Sequence, residues 1–248
     1  MNLLPPAPEP SRFAPTRWTV VLRARGDSDE GRRALAQLCE SYWNPVFRFV
    51  RGQGRGDDDA RDLTQEFFAR LLARGSLENV QPGRGRFRSY LLGAVKHFLA
   101  DQRDHERREK RGGGLVPESL DGVPGHDTAP ALQVPDPAAL PSDGVFDRAW
   151  ALAVMAQALE TLRQEHADAG KAEHFEVLKP WLEGDADRLP QEQAAARLNL
   201  NEGALKVAIH RLRKRFRELI RRELAETVDS PAEVEDELRY LVEVLAQP

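Results

Sequence analysis

Between residues 61 and 111 two helical patterns of opposite chemical character stand back to back, and a chain that contains both is committed to burying helix against helix. In the first, Leu63, Phe67, Phe68, Leu71 and Leu72 recur at three- and four-residue spacing, which gathers them on one broad apolar face. Asp62, Gln65, Glu66 and Ala69 fall on the other side, an acidic, hydrogen-bonding surface with room for a partner. After the turn Gln81-Pro82-Gly83-Arg84-Gly85, the residues Phe87, Leu91, Ala94, Val95 and Phe98 mark a second buried stripe. Its exposed side is expected to carry Arg88, Lys96, Arg103 and Arg107. The last three lie near one line along the helix, a row of cations of the kind that follows a phosphate backbone. Arg86, Phe87 and Tyr90 add rings among the charges, and rings beside cations hold unstacked bases. The plainer reading of either face is a solvated helix surface, so a second signal is required.

Asp62-Leu63-Thr64-Gln65-Glu66-Phe67-Phe68, Arg86-Phe87-Arg88-Ser89-Tyr90-Leu91 and Lys96-His97-Phe98-Leu99-Ala100-Asp101-Gln102-Arg103 together resemble the second conserved region of bacterial sigma factors of the extracytoplasmic-function (ECF) type. That resemblance implies a division of labour. Asp62, Gln65 and Glu66 would dock on the clamp coiled coil of the largest subunit of core RNA polymerase. Arg86, Phe87, Arg88, Tyr90, Lys96, His97 and Arg103 would capture and melt the minus-ten element of a promoter.

A formal net charge of only -4 over 248 residues means that nucleic-acid binding would have to come from segregated charge. Segregation is present. Residues 84–111 hold nine Lys or Arg against four Asp or Glu, and residues 203–222 hold eight against one. Residues 223–248 reverse the sign, with eight acids against one Arg. Cys39 is the single cysteine, which excludes an intrachain disulfide and fits a reducing compartment. Its place in the pattern Leu35, Leu38, Tyr42 reads as a small buried hydrophobe ahead of a reactive thiol. No run of eighteen apolar residues exists and the Pro-rich start has no apolar core like a signal peptide's, so a cytoplasmic chain with no membrane partner is expected.

Taken in order, residues 1–15 carry five prolines and read as an extended lead-in. A polymerase-binding and melting domain is expected over 16–111, starting with a short helix capped by Thr16. Within it, one amphipathic helix spans Ser28 to Tyr42, and another starts at Pro45 and runs through Val46, Phe47, Phe49 and Val50. Asp57-Asp58-Asp59 opens the Leu63 helix, where carboxylates favour the positive end of the helix dipole. Capping outweighs a metal site there, because consecutive helical side chains diverge and no His or Cys stands nearby. Residues 112–141 then read as a flexible Pro/Gly-rich linker. About thirty extended residues at ~3.1 Å each reach on the order of 90 Å, enough to span two DNA segments about two helical turns, roughly 70 Å, apart.

A second helical domain is expected over 142–226. Ser142 caps a long helix marked by Phe146, Ala149, Trp150, Ala153, Leu159 and Leu162, and Ala172, Phe175, Leu178, Trp181 and Leu182 mark the next. Leu189-Pro190 starts a short helix with Ala194, Ala195 and Leu198 inward, followed by the tight turn Asn199-Leu200-Asn201. A longer helix from Glu202 shows Leu205, Ile209, Leu212, Phe216 and Ile220 on one face and Lys206, His210, Arg213, Arg217 and Arg221 on the other. A short helix, a tight turn and a longer basic helix describe a helix-turn-helix, whose second helix enters the major groove. Asn201 would cap it, Lys206 and His210 would lie near base edges, and Arg211, Arg213, Lys214 and Arg217 would mainly hold phosphates. Residues 189–219 are also similar to the fourth region of the same sigma family, which reads the minus-thirty-five element. Glu202-Gly203-Ala204-Leu205-Lys206 follows that pattern, but Val207-Ala208 stands where many relatives have Ser-Arg. The bases read therefore do not carry over, and Val207 offers an apolar contact for a thymine methyl.

Residues 227–248 form an acidic C-terminal helix with Val234, Leu238, Leu241, Val242 and Leu245 inside and Glu233, Glu235, Asp236 and Glu237 outside. Either it completes the second domain's core, or its acidic face competes with DNA for Arg213 to Arg222. The whole reads as an all-α protein of two helical domains joined by a flexible linker. The resemblance makes it a sigma factor that binds core RNA polymerase and promoter DNA, without cofactor, metal or catalysis, and leaves an anti-sigma protein open as a third partner. The alternative is a helix-turn-helix regulator that acts on duplex DNA without serving as a polymerase subunit. A hydrolase or nuclease is disfavoured by six scattered His, the lack of paired metal-ligand spacing and of a Gly-rich phosphate loop, and the absence of a nucleophile elbow.

Overall fold

The computed structural model describes residues 17–18, 21, 29–73, 86–111, 141–184, 190–228 and 230–247. The lead-in over 1–15, the Thr16 cap, the turn over 81–85 and the linker over 112–140 lie outside the described residues, while Pro141 already belongs to a helix. The helices are α1 (Asp29–Gly52), α2 (Asp57–Leu72), α3 (Phe87–Arg111), α4 (Pro141–Asp168), α5 (Ala172–Leu178), α6 (Pro180–Glu183), α7 (Gln191–Arg197), α8 (Glu202–Ala225) and α9 (Pro231–Ala246). There is no strand among the described residues, so the expected all-α class holds.

The break expected before Pro45 is absent, and α1 runs unbroken through it. The reason lies in the apolar period. Leu35, Leu38, Cys39, Tyr42, Val46, Phe49 and Val50 are all buried in one continuing stripe, so burial of a single face outweighs the backbone bond that proline removes. The α2 stripe closes over α1 with Phe67, Phe68 and Leu71 buried, and Asp57, Asp58 and Asp59 stand in its first turn as expected. Along α3, Phe87, Tyr90, Leu91, Val95, Phe98 and Leu99 are buried, and Phe67 meets Phe98 at 5.7 Å between ring centroids.

The two modules expected on either side of a linker pack on one core in the described residues. The α4 helix packs along α1, where Phe146 stacks on Tyr42 at 6.5 Å and meets Phe49 edge-on at 6.2 Å. It also contacts α8 and α9, and its buried Ala149, Ala151 and Ala158 let neighbouring backbones come close. Aromatic surface on the two modules is thus buried mutually, which the local periodicity of neither could reveal. Trp18 belongs to the same cluster, 5.1 Å from the Phe87 ring and 5.6 Å from that of Tyr90, and its N–H donates to the Glu226 carbonyl.

The short helix, turn and long helix come out as read. Ala194, Ala195 and Leu198 are buried, Asn199 takes the left-handed conformation at φ 52° that asparagine tolerates, and the Asn201 side chain accepts from the Ala204 N–H at 2.8 Å to cap α8. Leu205, Ile209, Leu212, Phe216 and Ile220 all point inward. The helix expected through Phe175 and Trp181 is instead divided at Lys179-Pro180 into α5 and α6, since Pro180 starts a new first turn.

The acidic tail departs from expectation in its register. It forms α9, with the Ser230 and Glu233 capping box at its start. Glu237, expected outside, is 0% exposed, while Val242, expected inside, is 59% exposed. The buried positions Val234, Glu237, Leu241 and Val244 follow one helical face, so a carboxylate occupies an inward position and must find a buried partner. No helix among the described residues is long and apolar enough to cross a membrane.

Burial pushes the Cys39 thiol up to about 12, with Glu40 adding to the effect, so the thiolate is scarce throughout the neutral range. Maleimide labelling at pH 8 should therefore be at least about a hundredfold slower in the native protein than in denaturant. Labelling at equal rates would contradict this packing.

Candidate nucleic-acid interface

The polymerase-facing residues expected on α2 are at the surface. Asp62 and Gln65 are exposed and Glu66 is half-buried, held by Arg70 at 2.5 Å and by Gln102 of α3 at 2.9 Å. Thr64, between them, is buried and donates to the Ala60 carbonyl at 2.6 Å, which fixes the helix face. Two large apolar side chains are also left partly in solvent, Trp43 at 38% and Leu72 at 37%. Trp43 stacks on Phe68 at 5.6 Å. Sequence reasoning did not single out Trp43, because a helix ended at Tyr42 gives residue 43 no face.

The melting set divides. His97 and Arg103 lie exposed on α3, with His97 3.2 Å from Asp101 and Arg103 donating to the Leu99 carbonyl. Lys96 is half-buried and pairs with Asp143 of α4 at 2.6 Å. Phe87 and Tyr90 are buried in the cluster with Trp18, so their rings present no face to a base in this arrangement. Arg88, expected on the exposed side, is 7% exposed. It sits where α3, α4 and α9 meet, and acids from the other two helices satisfy it.

The geometry at Arg88 is closely defined. Its guanidinium bonds Asp147 at 2.6 Å and Glu237 at 3.2 Å, and it lies 4.8 Å from the Trp150 ring centroid and 4.3 Å from that of Tyr240. Tyr240 donates its hydroxyl to the second Asp147 oxygen at 2.6 Å. Burial alone would lower the Arg88 pKa, but the Glu237 and Asp147 carboxylates outweigh it and hold the guanidinium above its ordinary value. Arg86 reaches the same helix, 2.7 Å from Glu237 and 3.4 Å from Asp236. None of these pairings leaves a local trace in the sequence, because Arg88 and Glu237 are 149 residues apart.

On α8 the basic face is open. Lys206, Val207, His210, Arg211, Arg213, Lys214 and Arg217 are exposed, as are Asn201 and Glu202 at its start. Lys206 pairs with Glu202 one turn away, and Arg213 donates to the Trp181 carbonyl at 3.0 and 3.1 Å, which steadies it against α6. Arg215 is engaged by Glu165 at 2.6 Å, and Arg221 by Glu235 of α9 at 3.0 Å. An open row of cations on a capped helix that follows a tight turn has the shape and charge to enter a major groove. No cluster of His, Cys, Asp and Glu suited to a metal ion occurs among the described residues.

The α1–α3 bundle has a counterpart among known proteins: residues 38–109 match the model of the sigma-70 region 2 family. The chain is also 27% identical over 212 residues, 86% of its length and 71% of the relative's, to the ECF RNA polymerase sigma factor SigE of Mycolicibacterium smegmatis. Together the two matches support a sigma factor of the ECF type. No solved structure matches the chain.

Removing Arg88 leaves two buried carboxylates without their cation, and breaking a buried pair from one side costs about 3–5 kcal/mol. Arg88→Ala should lower the urea midpoint accordingly. A loss under about 1 kcal/mol would mean that Asp147 and Glu237 reach water unaided.

Proposed function

We propose that the chain directs core RNA polymerase to promoters, using α2 for the enzyme, α8 for duplex DNA and α3 for the melted strand. Support for the first role comes from Asp62 and Gln65 standing in solvent, Glu66 half-buried between them and α3, and Trp43 and Leu72 left partly exposed. Hydrogen-bonding acids next to apolar anchors suit a helical protein partner better than a nucleic acid. Support for the second comes from the Asn201-capped helix, whose outward side is cationic from Lys206 to Arg217. The observation that carries the reading is the pairing of this helix with a region-2-type bundle in one chain, because a duplex-binding regulator has no use for the latter.

In this mechanism the protein makes and breaks no bond of its own. Lys206 and His210 approach base edges, Val207 offers an apolar contact, and Arg211, Arg213, Lys214 and Arg217 neutralise phosphates. On α3, Lys96, His97 and Arg103 track the backbone of the separated strand, and Arg86, Phe87, Arg88 and Tyr90 join them once their present contacts are released. Initiation follows from holding the enzyme and both promoter segments at once. An anti-sigma protein that covers the α2 face would compete directly with the polymerase.

The test is run-off transcription with purified core RNA polymerase on promoter fragments selected by the reconstituted holoenzyme. Specific transcripts are expected, and duplex binding without initiation would establish the regulator reading instead. Asp62→Ala with Glu66→Ala should weaken polymerase association by about tenfold while duplex binding stays unchanged. Arg217→Ala should leave polymerase association intact and reduce the salt dependence of duplex binding by about one counterion. Equal damage to both activities by either change would contradict the division of labour.

A further inference from the structure

The acids of α9 are distributed over cations from both modules. Glu235 pairs with Arg221 of α8, Asp236 with Arg86, and Glu237 with both Arg86 and Arg88 at the start of α3. Three consecutive carboxylates thus occupy three arginines that belong to the two basic surfaces. The backbone adds to the join. The Phe87 N–H at the first turn of α3 donates to the Thr227 carbonyl at 3.0 Å, in the turn that connects α8 to α9. While this contact stands, Phe87, Arg88 and Tyr90 are covered and the start of α3 is held on the end of α8.

Two further features suit a contact that is made and released. Its centre is charged where an apolar side chain would seat the helix more firmly, and buried ion pairs add little net stability because each charge regains its hydration when exposed. The seam beside it is also incompletely satisfied. One Asp143 oxygen on α4 is buried without a hydrogen-bond partner among the described residues. Such a group penalises the closed arrangement and is relieved by water when it opens.

We propose that α9 is an intramolecular clasp: its Glu235-Asp236-Glu237 run occupies Arg86, Arg88 and Arg221 in the free protein, so that single-stranded DNA gains the start of α3 only when α9 is displaced. The occupant is the chain's own acidic helix standing in for a phosphate run. The consequence for promoter melting rests on the function proposed above, whereas the clasp itself is a property of the isolated protein.

The test compares the full-length chain with a full-length Glu235→Gln/Asp236→Asn/Glu237→Gln variant. Hydrogen exchange of the amides of residues 87–91 and affinity for a fluorescent single-stranded thirty-nucleotide DNA probe, at roughly 50 mM salt, are the readouts. Faster exchange at these amides and binding tighter by about tenfold are expected. Should the triple variant lose its helical circular dichroism, Glu235→Gln/Asp236→Asn leaves the buried Glu237 in place and should still tighten binding by about threefold. A folded variant with unchanged exchange, or with unchanged or weaker DNA affinity, overturns the clasp. Failure of both the parent chain and the folded variants to support run-off transcription would defeat the sigma-type function, while the exchange and DNA measurements would still decide the clasp.

Discussion

The position of one guanidinium governs how the helices sit together. Arg88 is buried, and a buried cation is tolerated only where oppositely charged and polarisable groups surround it. Asp147 supplies one carboxylate, Glu237 the other, and the rings of Trp150 and Tyr240 close the remaining sides. Those four residues come from α4 and α9, far from α3 in sequence. Satisfying Arg88 therefore fixes where three helices meet, and the aromatic contacts of Trp18, Tyr42, Phe87 and Phe146 are assembled around that junction.

This way of joining two modules differs from an ordinary core. The α1–α4 seam carries large apolar area, while one Asp143 oxygen at the start of α4 is buried with no hydrogen-bond partner among the described residues. Hydrophobic burial holds the modules together, and this polar defect and the charged centre set against it reduce the net preference for the closed state. A protein proposed to contact one large enzyme and two separated stretches of DNA has use for such a balance. A seam with perfect apolar packing would keep α3 covered at a cost no binding partner could readily offset.

Much of the architecture was legible in the order of residues, and the reasons are local. The stripe from Leu205 to Ile220, the Asn201 cap and the left-handed Asn199 are decided within a few residues of themselves, and the structure has them as read. At Pro45 proline's local preference points to a helix start, but the apolar period running through it decides the structure. Arg88 and Glu237 are harder to read. Each is a charged residue on an inward helical face, where charge alone points to solvent, and each residue's burial is explained by the other. Reading both inward positions as a matched pair would have needed the contact between distant helices beforehand. The exposed members of the candidate interface, among them Asp62, Gln65, Lys206 and Arg217, were identifiable because a surface residue answers only to its own helix.

The closed, charge-clasped body is proposed to separate into two helical modules when it meets core RNA polymerase. His97 on α3 and His210 on α8 are both exposed, and the native Cys39 is buried, so His97→Cys and His210→Cys accept spin labels selectively. Pulsed electron–electron distance measurement between them should give one short, narrow distribution in the free protein. On addition of core polymerase and promoter DNA it should shift out by tens of ångströms, toward the roughly 70 Å that two turns of duplex require. A distribution that stays short and unchanged in the complex would contradict the account.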